Sequence, residues 1–475
     1  MTLHSGGSTY RRRIWIRLGA AVLSGGLLAL AYALNPLWPA AWLAPIPLLI
    51  AAATARWSVA LWLGGIAGAI GSLSLLGYMA ELSGPVDAVL IPLVRAVQWA
   101  MIAIVARTAT RLPVALGVFV VPALFAGFEV LTAAVSPHGS GGSIVYSQMD
   151  ALPVIQVASL GGAAAIAFLL GLFANATSYA VLARLRNRSA LIAPVVILGL
   201  SLGFGAWRIA DIPPASGPRV ALIVTDEFSG VPEDWRTVWA AYEPAIETAA
   251  EQGAQLAVLP EKVFRIEAAE LDSFLSEAAD TARDAEIDIV VGVNERGEVA
   301  RNRAYLVAAN GEVTSYDKRH LIPGFESHFT PGSADVVATV AGTKVGLLIC
   351  KDLDFPQTTR SAASDVSLLL VPAWDFGADA WFHSRLAILR GVENGVPVAR
   401  TAREGLLTLS DPYGRVLIET ASGEAMQIEV GDAPAAVAER TSYSVIGDVF
   451  GWAALAFTGG ALLLGFLPPP RPRKP

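Results

Sequence analysis

The chain opens on long apolar stretches separated by short polar breaks, and it closes on one more. Runs long enough to cross a hydrocarbon core of about 30 Å lie at 14–34, 37–55, 58–79, 86–106, 113–135, 154–183 and 190–209, with a last one at 445–467. Between 219 and 440 the rhythm changes to short apolar runs alternating with stretches of helical period. Strands are predicted at 220–224, 256–259, 287–293, 345–349, 367–371 and 396–400, and helices at 235–252, 268–284 and 382–393. Asn310-Gly311 predicts a hairpin joining 305–308 to 313–316, and Asp411-Pro412-Tyr413-Gly414 another joining 406–409 to 416–419. The pattern predicts an α-helical transmembrane bundle of about eight spans plus an α/β domain whose helices cover mixed sheets. Its expected parts are 1–212, 217–440 and 443–475. Ile212-Pro213-Pro214-Ala215-Ser216-Gly217-Pro218 can hold no regular structure and serves as the boundary.

Composition agrees with that division. The 475 residues are 54% hydrophobic and 16% charged, as in a membrane protein. The whole chain carries a net charge of −7, its acidic excess lies in the middle part, and no basic patch points to nucleic acid. The arginines then orient the spans. Arg11, Arg12 and Arg13 precede the first span, Arg56 follows the second, and Arg107 and Arg111 follow the fourth. Arg184, Arg186 and Arg188 follow the sixth, and Arg471, Arg473 and Lys474 follow the last. The loops near Asn35, 81–87 and 136–150 contain no Lys or Arg. Both termini are therefore expected in the cytoplasm of a bacterial cell, with 219–440 outside the inner membrane. A cleaved signal peptide, mimicked by Arg11 to Arg13 and Ala31-Tyr32-Ala33, competes with this reading, but hydrophobic spans keep coming after it.

Chemistry collects at the ends of the apolar strands. Cys350, the only cysteine, closes the run that starts at Val345 and is followed by Lys351 and Asp352. A lone cysteine excludes an internal disulfide and is more often a small buried hydrophobe than a nucleophile. A neighbouring cation, however, would favour the reactive thiolate. Glu261 and Lys318 also stand at strand ends. A carboxylate can take a thiol proton, the thiolate can attack a carbonyl, and an ammonium can stabilise the oxyanion. Such a set suffices for acyl transfer through a thioester, provided that the three meet in space. Taken singly, Glu261 could merely cap a helix and Lys318 could be an exposed turn lysine. His138, His320, His328 and His383 show no metal-ligand spacing, and neither metal nor cofactor is expected. Glu129, inside a span, should face other helices or a water-lined cavity.

Val258-Leu259-Pro260-Glu261, the run Tyr316-Asp317-Lys318-Arg319-His320-Leu321-Ile322-Pro323, and Leu348-Ile349-Cys350 resemble the three signature segments of the nitrilase (carbon–nitrogen hydrolase) superfamily. Asn35-Pro36-Leu37-Trp38-Pro39, Pro45 to Leu48, Tyr146-Ser147-Gln148, Ile155-Gln156, Gly161-Gly162 and Gly447-Asp448 are similar to segments of its membrane-embedded branch, the apolipoprotein N-acyltransferases. The likeness covers nearly the whole chain. It implies an α-β-β-α sandwich for the soluble part, with Glu261 as general base, Lys318 as oxyanion stabiliser and Cys350 as the acylated nucleophile. Glu326 would be the family's further active-site glutamate, and Asp352 takes the place of the acidic residue two after the cysteine. For both, a supporting role stands beside direct proton transfer. The implied partners are a phospholipid acyl donor and a diacylglyceryl lipoprotein acceptor, handled by a monomer.

The sequence departs from the family's usual pattern around the thiol. Lys351 and Asp352 replace an aromatic and a glutamate, and Pro323-Gly324-Phe325-Glu326 replaces the order Pro-Phe-Gly-Glu. Pro372-Ala373-Trp374-Asp375-Phe376-Gly377 stands where Ser-Asn-Asp and Trp-Phe-Gly are expected, and Val224-Thr225-Asp226 lacks a glutamine. These changes fit retained thioester chemistry with a different donor or acceptor. Trp374, Phe376, Trp381 and Phe382 could line an acyl pocket, dip into the bilayer interface or pack in the core. A membrane-tethered amidase using the same three residues is the alternative activity. A membrane scaffold with a degenerate domain is a third reading, and the intact trio argues against it.

Overall fold

The structure is a computed structural model that describes residues 5–82, 85–182, 188–212, 214–228, 230 and 232–466. Arg184, Arg186, Arg471, Arg473, Lys474 and Pro213 lie outside the described residues. Among the described residues seven helices are long and apolar enough to span a membrane: Arg11–Tyr32, Trp57–Glu81, Ala88–Ala109, Val114–Val135, Ala158–Leu182, Ser189–Arg208 and Val449–Phe466. The expected span at 37–55 is instead a pair of short helices, Trp38–Leu43 and Pro45–Ala53. Pro45 lacks an N–H and restarts the helix at its first turn. The pair still runs back along the first helix. Leu48 N donates to Ser24 Oγ at 3.0 Å, and Arg17 Nη2 donates to the Thr54 carbonyl at 2.7 Å.

Those contacts separate the two ends of the bundle. At one end Arg107 Nε donates to the Ala55 carbonyl at 2.7 Å, the Arg111 guanidinium lies 4.9 Å from the Trp57 ring centre, and Trp57 stacks on Phe466. At the other end Trp42 Nε1 donates to Gln148 Oε1 at 2.6 Å, and Tyr78 donates to Asp379 of the α/β domain. Arg17, Arg107 and Arg111 thus gather at the end away from the soluble domain. Helix Trp57–Gly71 lies tightly against Pro85–Ala109. A Cβ added at Gly64 or Gly68 would come within 2.3 Å of the Trp99 or Arg95 carbonyl oxygen. Small residues one turn apart let two apolar helices touch backbone to backbone, where lipid supplies no hydrophobic drive.

In the soluble part the strands are β1 Arg219–Val224, β2 Leu256–Val258, β3 Phe264–Glu267, β4 Asp288–Arg296, β5 Arg301–Val307 and β6 Val313–Asp317. They continue as β7 Val337–Val340, β8 Thr343–Leu347, β9 Leu368–Trp374, β10 Val398–Arg403, β11 Leu406–Ser410, β12 Val416–Ala421 and β13 Gln427–Asp432. One sheet has the order β13-β1-β2-β4-β5-β6 with β3 beside β4, and the other has the order β12-β11-β10-β9-β8-β7. Parallel centres, β1-β2-β4 and β8-β9-β10, are flanked by antiparallel edges.

Period-two alternation builds the layers. Val220, Leu222 and Val224 join the core between the sheets, while Ala221 and Ile223 face the other way. That outer face is covered by helices Trp235–Glu251 and Leu271–Asp284, the first entered through Asp234, whose carboxylate accepts from Arg236 N at 3.1 Å. Trp235, Val238, Trp239, Tyr242, Ala245, Ile246 and Ala249 are its buried stripe. The sandwich expected from the sequence is present.

Three strands, β3, β7 and β13, carry no strong pattern. β13 reads Gln-Ile-Glu-Val-Gly-Asp and is half-buried up to its exposed last residue; its six-residue register with β1 makes it a strand.

Gly64→Ala should lower stability in detergent by about 1–3 kcal/mol, read as a drop in thermal midpoint. Gly65→Ala, whose Cβ would meet nothing nearer than 3.9 Å, should match or slightly exceed wild type. Equal midpoints for the two variants would contradict the close helix approach.

Candidate active site

Glu261, Lys318 and Cys350 each lie just past the C-terminal end of a strand, β2, β6 and β8 respectively. The first two belong to one sheet and the cysteine to the other. A bond between the sheets, Glu261 N to the Ala373 carbonyl at 3.2 Å, sets their spacing. Lys318 is held at both ends of its peptide, its N–H on the Asn302 carbonyl and its carbonyl on Gly332 N, both at 2.9 Å.

The side chains converge on one buried ammonium. Lys318 Nζ donates to Glu261 Oε1 and to Glu326 Oε2, each at 2.8 Å. Asn302 Nδ2 donates to Glu261 Oε1 at 2.5 Å and to Glu326 Oε1 at 2.9 Å. Lys262 Nζ reaches Glu326 Oε1 at 2.5 Å, and Ile322 N donates to Glu326 Oε2 at 2.9 Å. Burial works against the Lys318 charge, but the Glu261 and Glu326 carboxylates outweigh it and hold the group well above the usual lysine range. Burial likewise opposes the Glu326 carboxylate, yet Lys318 and Lys262 bring it down to about 2. Glu326 is therefore a fixed anion that anchors Lys318, a supporting position in geometry.

Cys350 opens a short 3₁₀ turn, Cys350–Asp354, with φ +43°, a conformation that non-glycine residues rarely adopt. The residue is partly exposed, and its Sγ–H points to the Trp374 carbonyl at 3.5 Å. Burial of the sulfur raises the thiol well above its ordinary value. The Glu261 carboxylate adds to that rise, and Lys318 and Arg400 pull against it. The resting species is a thiol, so attack needs a base beside it.

Asp352 faces the loops and accepts four bonds: Tyr316 Oη at 2.8 Å, His320 N at 2.8 Å, and Arg319 N and Ile349 N at 3.1 Å. It clasps the lysine loop to the cysteine turn. Burial raises its carboxyl to about 6, against the pull of Lys318 and these donors. Lys351 turns away from any thiol-activating role: Nζ meets Asp354 Oδ2 at 3.1 Å and His138 Nδ1 at 3.3 Å.

Sequence reasoning missed Asn302 and Lys262 because both look like ordinary polar positions. Asn302 sits between Arg301 and Arg303 on β5, and only the inward phase of the strand could have singled it out. It also missed two buried ion pairs behind the cysteine. Arg400 clamps Asp375 at 2.9 and 2.5 Å, and His383 Nδ1 lies 3.1 Å from Asp379 Oδ2. Burial disfavours the His383 cation, but Asp379 and Asp375 raise it to about 9.

Two family models match the chain: Carbon-nitrogen hydrolase over residues 219–440, and Apolipoprotein N-acyltransferase N-terminal domain over residues 24–177. The apolipoprotein N-acyltransferase of Geobacter metallireducens is 28% identical over 501 residues, covering 94% of each chain. That of Pseudomonas syringae pv. tomato is 27% identical over 58% of this chain and 60% of its own. A nitrilase of Pyrococcus abyssi is 36% identical over 36% of this chain and 67% of its own. The chain belongs to the apolipoprotein N-acyltransferase family of the nitrilase superfamily. It is an enzyme, an acyltransferase set in a membrane by its apolar helices.

As a member of that family, the chain joins its catalytic fold to its helices close to the thiol. Ser140 N and Oγ donate to the Asp354 carbonyl at 2.7 and 2.8 Å, so the loop after helix Val114–Val135 grips the cysteine turn directly. Gly139, at φ +52°, is required there: a Cβ would lie 2.3 Å from the Asp354 oxygen. Phe382 packs edge-on against Tyr146, whose hydroxyl accepts from Arg390 Nη2 at 3.1 Å. Glu393 accepts from Ala163 N at 2.8 Å, capping the helix past its Gly161-Gly162 break.

Because Glu326 titrates at about 2 in the fold and near 4.3 unfolded, the native state binds fewer protons in between. Its stabilisation is complete above that unfolded value and lost as pH falls through the folded one. Thermal midpoints of wild type should drop steeply from about pH 5 to 2. Glu326→Gln should start lower and fall less over the same range; parallel curves would contradict the ion pairs.

Proposed function

We propose that this acyltransferase moves a fatty acyl chain from a phospholipid, through a thioester on Cys350, to the α-amino group of a diacylglyceryl-cysteine lipoprotein. In the first half-reaction the Glu261 carboxylate takes the Cys350 proton as the sulfur attacks the donor's ester carbonyl. The tetrahedral oxyanion takes a hydrogen bond from Lys318, which is already charged and fixed. Collapse breaks the C–O bond, and Glu261 returns its proton to the leaving lysophospholipid oxygen. In the second, the acceptor amine attacks the thioester, Glu261 takes a proton from nitrogen, and the sulfur leaves as a thiol. Glu326, Asn302 and Asp352 hold these groups in place without touching substrate.

The observation that carries this reading is the seating of the cysteine turn on the membrane-side loop at Ser140. A water-soluble amide needs no such seat, whereas a lipid ester can reach the sulfur only from the bilayer surface. The gathering of Arg17, Arg107 and Arg111 at the opposite end supports a cytoplasmic face there, with the catalytic fold outside the inner membrane.

Purified enzyme given phospholipid should gain the mass of one fatty acyl group on Cys350. Cys350→Ala should gain none, and Glu261→Gln should acylate about 10²–10⁴-fold more slowly. No adduct, with ammonia released from small amides instead, would make the chain a membrane-tethered hydrolase.

A further inference from the structure

Among the described residues the buried cations around Cys350 each meet a carboxylate, with one exception. Lys318 and Lys262 share Glu261 and Glu326, Arg400 holds Asp375, His383 meets Asp379, and Lys351 meets Asp354. Arg403, at the end of β10 and only 1% exposed, has no such carboxylate. Its Nη2 donates to the Phe228 carbonyl at 3.0 Å, while Nε and Nη1 have no hydrogen-bond partner among the described residues. Its guanidinium carbon lies over the Trp374 ring, 4.3 Å from the centre, with Lys262 Nζ 5.0 Å from the same ring. The Trp374 indole N–H, also buried, has no acceptor either. Burial pushes the Arg403 guanidinium below its usual value, against the pull of nearby acidic groups that include Glu261. A buried cation with open donors is costly unless something anionic completes it.

The place is close to the chemistry. Trp374 supplies the carbonyl that faces the Cys350 thiol, and Arg403 is its register partner on β10. We propose that Arg403, with the Trp374 indole N–H, binds an anionic oxygen group of the substrate beside the thiol. On the functional reading above, from which this assignment takes its ligand, that group is the phosphodiester of the acyl donor. Guanidinium is suited to it, since it stays charged and offers several N–H donors in a rigid plane.

The test compares two acyl donors of equal chain length, a phosphatidylcholine and the uncharged p-nitrophenyl ester, by the rate of Cys350 acylation. Arg403→Met should raise the half-saturating phospholipid concentration about 10- to 100-fold, the loss expected for a charged hydrogen bond, and affect the neutral ester at least tenfold less. Trp374→Phe, which keeps the ring under the guanidinium, should show the same selective loss in smaller degree. Equal losses on both donors, or none on either, would overturn the proposal. A second arm needs no acyl transfer: sn-glycero-3-phosphocholine should slow alkylation of Cys350 by iodoacetamide in wild type and not in Arg403→Met. If wild type is protected but never acylated by phospholipid, the anion site stands and the acyl-donor reading falls. Protection by butyrate alone would overturn the phosphodiester assignment.

Discussion

The site depends on one buried ammonium. Lys318 is fully enclosed, and a lone cation there would carry a desolvation cost of several kcal/mol. Two carboxylates offset it, and their own remaining lone pairs go to Asn302, Lys262 and a backbone N–H. Each charge is tolerable only because the others are present. Removing one member of such a set typically costs about 3–5 kcal/mol, since it strands the rest. The reward is placement, because an ammonium pinned by two acids cannot swing when charge develops on a substrate oxygen.

This charged knot belongs to one sheet and the sulfur to the other. Glu261 follows β2, Asn302 lies on β5, Lys318 follows β6, and Cys350 follows β8. A face-to-face sandwich therefore acts as a vice that sets the distance between acid and thiol. Two fasteners close it: the Glu261 to Ala373 backbone bond, and the Asp352 carboxylate that gathers donors from the lysine loop. The left-handed backbone at Cys350 lifts the sulfur out of the strand line and is kept there by these bonds. The membrane helices add a third hold through Ser140 and Gly139, so that the catalytic turn is braced from the lipid side as well.

Much of this was legible in the chain because strong physical signals wrote it. Long apolar runs cannot hide, arginine placement follows the bilayer, and a charged residue at the end of a buried strand is conspicuous. The exceptions are equally physical. Residues 37–55 have the composition of a span, but Pro45 divides them into two short helices, which hydropathy does not weigh. β13 is decided by its partner β1, not by its own residues. Asn302, Lys262 and Arg403 are ordinary polar letters in sequence; only the tertiary fold turns their side chains inward. The bond from Tyr78 to Asp379, 301 residues apart, has no local signature at all.

The measurement that bears most directly on this picture is a cryo-EM map of the protein in lipid nanodiscs, trapped after reaction with an activated fatty ester. The account predicts an acyl chain bonded to Cys350 Sγ, its carbonyl oxygen facing Lys318 Nζ and its tail running toward the bilayer past Tyr78 and Phe382. A tail that leaves toward bulk water, or a carbonyl turned away from Lys318 with Glu261 and Glu326 apart from it, would contradict the account.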